Sequence, residues 1–178
     1  ADSKEPGFRN VVTLKCDDFE SADHAIKHYL ESEKAGKPSV ICLAAAGPII
    51  DKHVRFTNNH WDIGADELAE DFSIEAVRLL NDFEAIAYSI PFLTDQDCIP
   101  IGLPEPAPLA GDHYMVGILG PGTGLGAVGL KKHGDLLLPI AGEASHGGFA
   151  PESHVQVDIL NALRERFDRV SSERLVAG

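Results

Sequence analysis

Three short stretches carry the residue types from which chemistry is built. They are Asn81-Asp82-Phe83, the loop Gly120-Pro121-Gly122-Thr123-Gly124-Leu125-Gly126, and Glu143 with His146. A carboxylate, a glycine loop of phosphate size and a polar Glu/His pair are what phosphoryl transfer to a sugar hydroxyl requires. No one of the three is specific. Their order and gaps, taken together, point to that chemistry.

In the glycine loop, Gly122, Gly124 and Gly126 alternate and Thr123 adds a hydroxyl. Glycine lets backbone amides approach an anion closely, because no Cβ intervenes and φ is free to be positive. The loop is not a Walker A motif, since Lys131 and Lys132 come too late. It is not the dinucleotide fingerprint either, since Ala127 holds the place of the last glycine and a strand follows. It reads as a hairpin turn that grips a phosphate, or as a plain glycine-rich hairpin turn.

Asp82 lies at the C-terminal tip of an expected strand. An ordinary helix N-cap explains such an Asp. So does a general base that takes the proton of an attacking sugar hydroxyl. Asn81 beside it offers a donor and an acceptor, which suits a hydroxyl that is both. Glu143 and His146 sit among small residues, Gly142 to Gly148. Their spacing is not that of a zincin helix. Glu173 alone is a favourable charge in a helix's first turn. The other histidines form no metal pattern; His24 and His28 are one turn apart with no third ligand.

The elements that must position these residues follow from periodicity. Asn10 to Leu14 is short and β-branched and predicts an edge strand. Residues 22–34 predict a helix with Ala22, Ala25, Ile26, Tyr29 and Leu30 on one face, capped by Ser21 and stopped by Gly36. Ser39 to Ala46 is a continuous apolar run, the pattern of a strand buried on both faces. Val54 to Thr57 predicts a short strand and 65–71 a short helix. Ala76 to Leu80 predicts a strand and Phe83 to Ile90 a helix. That order puts Asp82 outside the carboxyl end of a strand, where α/β folds bind ligands.

Pro100, Pro104, Pro106 and Pro108 predict a stiff connection over 100–112 and a domain boundary there. Strands are expected at Tyr114 to Leu119, Ala127 to Lys131 and Leu136 to Ile140. Residues 152–168 predict an amphipathic helix with Val155, Ile159, Leu160, Leu163 and Phe167 on one face. Ser171-Ser172-Glu173 opens another helix. No internal repeat or low-complexity tract is present.

Composition sets the outer bounds. The 178 residues are 44% hydrophobic and 24% charged, with a net charge of −13. That charge argues against nucleic acid and against an anionic membrane as partners. An anionic ligand would have to be held locally, by backbone N–H groups. The cysteines, Cys16, Cys42 and Cys98, are odd in number and far apart, which predicts buried free thiols in a reducing compartment. The longest apolar run, Val40 to Ala46, is too short to span a bilayer. The ends, Ala1 and Gly178, read as those of a fragment, with no signal peptide at the start.

Together these stretches resemble the bacterial-type glucokinases of the hexokinase/actin-like superfamily. Phe56-Thr57-Asn58-Asn59-His60-Trp61 is similar to the family's Thr-Asn-x-x-Trp segment, and Leu80-Asn81-Asp82-Phe83 to its Asn-Asp-Phe motif. Gly120 to Gly126 resembles its second phosphate loop. Gly142-Glu143 through His146 and Phe149-Ala150-Pro151 follow its Gly-Glu-Gly-Gly-His-x-x-Phe-Ala-Pro segment. Val170-Ser171-Ser172-Glu173-Arg174-Leu175 resembles its Val-Ser-x-Glu-Arg segment. The resemblance runs from about residue 10 to the end.

The resemblance implies an α/β chain of the ribonuclease H-like (actin/hexokinase) fold. Residues 1–99 would be the small lobe, 100–112 the connection and 113–178 the beginning of the large lobe. It implies a cytoplasmic, ATP-dependent glucokinase of the first step of glycolysis, with Asp82 as base for the glucose 6-hydroxyl. Asn58, Asn81, Glu143, His146 and Glu173 would hold the other hydroxyls, and Gly120, Gly122, Thr123 and Gly124 the ATP phosphates. Magnesium would come with ATP, no protein metal ligand being named. Closure of two lobes would exclude water. The family tends to homodimers.

Two departures stand out. The family's opening Asp-x-Gly-Gly-Thr-Asn phosphate loop and its adenosine-binding segment are not in this sequence. Ala144-Ser145 replaces Gly-Gly, which predicts a stiffer backbone beside Glu143 and a displaced carboxylate. The alternatives to an enzyme are a non-catalytic sugar-binding module of the same fold and an inactive fragment.

Overall fold

The computed structural model describes residues 8–56, 60–102, 109 and 111–178. Asn58 and its neighbours Thr57 and Asn59 lie outside the described residues, as do Pro104, Pro106 and Pro108. Two compact units divide the chain, Ala1–Ala85 and Ile86–Gly178.

The first unit opens on extended chain. Asn10 to Leu14 forms no strand: Val11 and Val12 are exposed and no described strand lies beside them to accept their hydrogen bonds. Branched side chains favour a pleat only where a partner supplies the ladder. Asn10 takes a left-handed φ of 53°, and its carbonyl accepts the Tyr29 hydroxyl at 3.0 Å. Helix α1 (Ala22–Ser32) follows, and Ala22 and Ala25 are buried. Ser21 is its N-cap residue, yet its hydroxyl makes no cap bond to the backbone. It donates instead to the Asp23 carboxylate.

Strand β1 (Val40–Ala45) leads to β2 (Ile49–Ile50), β3 (His53–Arg55) and β4 (Asp62–Gly64), which form an antiparallel sheet in the order β2-β3-β4. Helix α2 (Ala65–Phe72) returns the chain to β5 (Ala76–Asn81), parallel to β1 from Val40 opposite Ala76 to Ala45 opposite Asn81. The apolar run of β1 predicts burial on both faces, but burial alternates along it and Val40 is exposed. Ile41 and Ala45 are buried on one face with Leu43 partly buried between them, while the opposite face, with Val40, Cys42 and Ala44, is left exposed among the described residues. Cys42 therefore points outward. Cys16 and Cys98 are exposed too, so the expected burial of the thiols is corrected for all three; none is in a disulfide. The core of this unit gathers Ala22, Ala45, Val54, Ile63 and Leu68, with Leu43, Trp61, Phe72 and Leu79 packed against it.

Helix α3 (Asp82–Ser89) starts at the residue after β5, so no loop separates strand from helix. The second unit is built on an antiparallel meander of β6 (His113–Pro121), β7 (Leu125–His133) and β8 (Leu136–Ala141). Val116 faces Leu130, and Leu130 faces Pro139. Leu130 is fully buried, and Val128, Leu160 and Val170 are buried with it. Helix α4 (His154–Arg164) is shorter than its pattern predicts. Only Leu160 of its expected apolar face is buried; Val155 and Ile159 stay exposed, for want of a covering surface among the described residues. A short helix α5 (Glu173–Val176) ends the description. Among the described residues, no helix is long and apolar enough to cross a membrane.

Candidate active site

Asn81 and Asp82 stand at the carboxyl end of β5, each half-buried. The Asn81 amide is held from both ends. Its Nδ2 donates to the Gly47 carbonyl at 3.3 Å and its Oδ1 accepts the Phe83 N–H at 3.0 Å. An amide has two N–H donors and an oxygen with two lone pairs. One donor and one lone pair are thus left for a ligand, in a fixed orientation. Asp82 Oδ1 also accepts the Phe83 N–H, at 2.9 Å. So the carboxylate does the work of a helix-start acceptor with one oxygen. Its Oδ2 takes no hydrogen bond from the described residues of its own unit. The capping role and a proton-accepting role are compatible in one side chain.

In the second unit the glycine stretch is a hairpin turn. Pro121 pairs with Leu125, which leaves Gly122, Thr123 and Gly124 as the turn itself. Gly120 lies in β6 opposite Gly126, one step behind the turn. Neither Gly122 nor Gly124 adopts a positive φ, so the freedom expected of them is not what the turn uses. What matters at Gly124 is the missing Cβ, which would come within 3.0 Å of Glu173 Oε2. The Gly122 N–H is spent inside the turn, on the Gly124 carbonyl at 2.7 Å. The amides of Thr123 and Gly124 and the Thr123 hydroxyl are the donors left to meet an anion.

Glu143, His146 and Glu173 come together beside that turn. His146 Nε2 lies 3.7 Å from Glu143 Oε2 and 3.6 Å from Glu173 Oε1. Backbone pairing explains why. Gly148 bridges Ser171, the Phe149 N–H reaches the Val170 carbonyl at 3.0 Å, and the Ser172 N–H reaches the Gly147 carbonyl at 3.2 Å. This zip sets α5, and with it Glu173, against the turn that carries His146. Ala144 to His146 form a single 3-10 turn with ordinary φ values, so the backbone does not need the family's glycines here. Glu143 is 82% exposed and Glu173 only 29%, so the second carboxylate is the more firmly held.

Three participants escaped the sequence reading. Arg169 donates to the His146 carbonyl at 2.8 Å, the Leu125 N–H donates to Glu173 Oε2 at 2.9 Å, and the Gly178 N–H donates to the Gly122 carbonyl at 2.8 Å. Two of these act through backbone N–H groups, which every residue but proline has, so no residue type could flag them. Among the described residues, no group of three His, Cys, Asp or Glu side chains could hold a metal ion.

Strand, carboxylate and helix in one unit, and a glycine hairpin beside a Glu/His cluster in the other, are parts of a ribonuclease H-like (actin/hexokinase) α/β fold. A solved glucokinase from an Antarctic psychrotroph matches 93% of this chain and half of its own with a TM-score of 0.83 and 32% identity. The glucokinase of Balamuthia mandrillaris, solved in complex with glucose, matches with a TM-score of 0.62 at 21% identity, a likeness of fold alone. The family model for glucokinase matches residues 1–178, and the chain belongs to the glucokinase family. The glucokinase of Caulobacter sp. strain K31 is 36% identical over 99% of this chain, and that of Chromohalobacter salexigens 37% identical over 96%. The chain spans about half the length of these curated relatives, 53% and 52%.

Proposed function

We propose that the full-length protein is an ATP-dependent glucokinase, which transfers the γ-phosphoryl group of ATP to the 6-hydroxyl of glucose. Asp82 is the general base, and its Oδ2 receives the hydroxyl proton as the oxygen attacks phosphorus. Asn58, Asn81, Glu143, His146 and Glu173 hold the other sugar hydroxyls. A carboxylate accepts from a hydroxyl and an imidazole does either, so the group can satisfy a polyol. The Thr123 and Gly124 amides, with Gly120 and Gly122 shaping the hairpin around them, hold the nucleotide's phosphates. Magnesium would accompany the nucleotide, held through its phosphates and few protein ligands. When bound, it offsets charge on the transferring group.

The observation that supports this reading best is the meeting of Glu143, His146 and Glu173 at the edge of the glycine turn. Sugar-hydroxyl acceptors and phosphate-binding amides must lie close together in a kinase. The lobe division at 100–112, a cytoplasmic location, a place in glycolysis and a homodimer belong to the same proposal. The test is glucose-dependent ADP formation by the full-length protein, run with glucose, mannose and no sugar. ADP formation that rises with glucose supports the reading. ADP formation indifferent to sugar contradicts it.

A further inference from the structure

Glu173 does two things at once. Oε1 faces the His146 imidazole, and Oε2 accepts the Leu125 N–H at 2.9 Å at the exit of the glycine turn. The carboxylate is packed so close that a Cβ at Gly124 would stand 3.0 Å from Oε2. At the entrance of the same turn, the Gly122 carbonyl accepts the Gly178 N–H at 2.8 Å. The stretch from Glu173 to Gly178 therefore grips the turn at both ends.

A carboxylate beside a turn meant for phosphates needs a reason, because its charge repels a phosphate. The geometry gives one. By taking the Leu125 N–H, Glu173 fixes the peptide at the exit of the hairpin and so holds the shape of the turn that carries the Thr123 and Gly124 amides. We infer that Glu173 is a positioning residue for the phosphate-binding turn as well as a sugar ligand. One side chain then ties the sugar's hydroxyls to the amides that meet the nucleotide. This rests on the glucokinase reading of both groups.

The experiment uses the full-length protein and measures KM for ATP and for glucose. Glu173→Gln keeps a side-chain carbonyl oxygen for the Leu125 N–H but loses the charge. Its KM for glucose is expected to rise, while KM for ATP stays within about twofold of the parent. Glu173→Ala removes the acceptor, and its KM for ATP is expected to rise about tenfold, the scale of one charge-assisted hydrogen bond. The parental KM for ATP in Glu173→Ala would overturn the inference.

Gly124→Ala supplies an independent arm. Its methyl group would meet Glu173 from the side of the turn and, among the described residues, no other side chain within 4 Å. Calorimetry with glucose and no nucleotide is expected to give a Kd weakened at least about threefold, as for a strained hydrogen bond; an unchanged Kd overturns the inference. A parent that consumes no ATP with glucose overturns the glucokinase reading, and the inference with it. That outcome is distinct, because the parent itself is then silent.

Discussion

The guanidinium of Arg169 donates to the backbone carbonyl of His146 at 2.8 Å. The bond fixes the short 3-10 turn from which the imidazole projects toward Glu143 and Glu173. Arg169 needs no contact with sugar to affect it. Arg169→Ala is expected to weaken glucose binding about threefold, the modest figure that suits an exposed hydrogen bond. KM for ATP should not change. Calorimetry and steady-state kinetics of the full-length protein check both halves, and an unaltered glucose Kd would show that the imidazole needs no such anchor.

Asp23 makes the start of α1 pH-dependent. Burial pushes its carboxyl upward, but hydrogen bonds from Ser21 and Lys27 outweigh this and leave it below the ordinary carboxylate value. Its folded value is thus lower than its unfolded one. The stabilisation is fully present above the unfolded value, about 3.9, and is lost as pH falls through the folded value. Urea titrations should show Asp23→Asn less stable than the parent at pH 7, with the difference closing below about pH 4. A difference that persists unchanged to the lowest pH contradicts the assignment.

Leu130 is fully buried at the centre of the meander, while Met115 on β6 is 67% exposed. Leu130→Ala is expected to destabilise the fold by about 2–5 kcal/mol through lost contacts and a cavity. Met115→Ala should stay within about 0.5 kcal/mol of the parent. Urea midpoints of the two variants settle the contrast, and equal losses would refute the burial assigned to β7.

Ser153 starts α4 by a reciprocal cap. Its Oγ accepts the Gln156 N–H at 3.3 Å, and Gln156 Oε1 accepts the Glu152 N–H at 2.6 Å. Ser153→Ala should cost about 1 kcal/mol in thermal or chemical denaturation, whereas Ser153→Asp should recover most of it. No loss in the alanine variant would mean that the helix start is held by packing alone.

How much of this was legible in the sequence differs from element to element, for physical reasons. The hairpin around Gly122 to Gly124 and the strand–Asp82–helix order are local, set by glycine, alternation and helix period, and both can be read. The two-sided burial expected of β1 and the strand expected at Asn10 to Leu14 depend on neighbours, and neighbours are not in a local pattern. The exposed thiol of Cys42 is the same misreading seen from one side chain. Ser21 stands at the N-cap that the helix pattern predicts, but the Asp23 carboxylate two residues on takes its hydroxyl. Glu143 and His146 are close in sequence, and what brings Glu173 to them is a backbone zip through Gly148 and Ser171 that leaves no mark on residue type.

The central claim is that Asp82 takes the proton of the sugar hydroxyl. Asp82→Asn keeps the side chain's size and an oxygen to accept the Phe83 N–H, so the start of α3 should survive. The direct measurement is kcat of Asp82→Asn in the full-length protein beside its glucose Kd. The account expects kcat to fall by about 10²–10⁴-fold, the worth of a general base, with the Kd within about threefold of the parent. Turnover close to the parent's in that variant would contradict it.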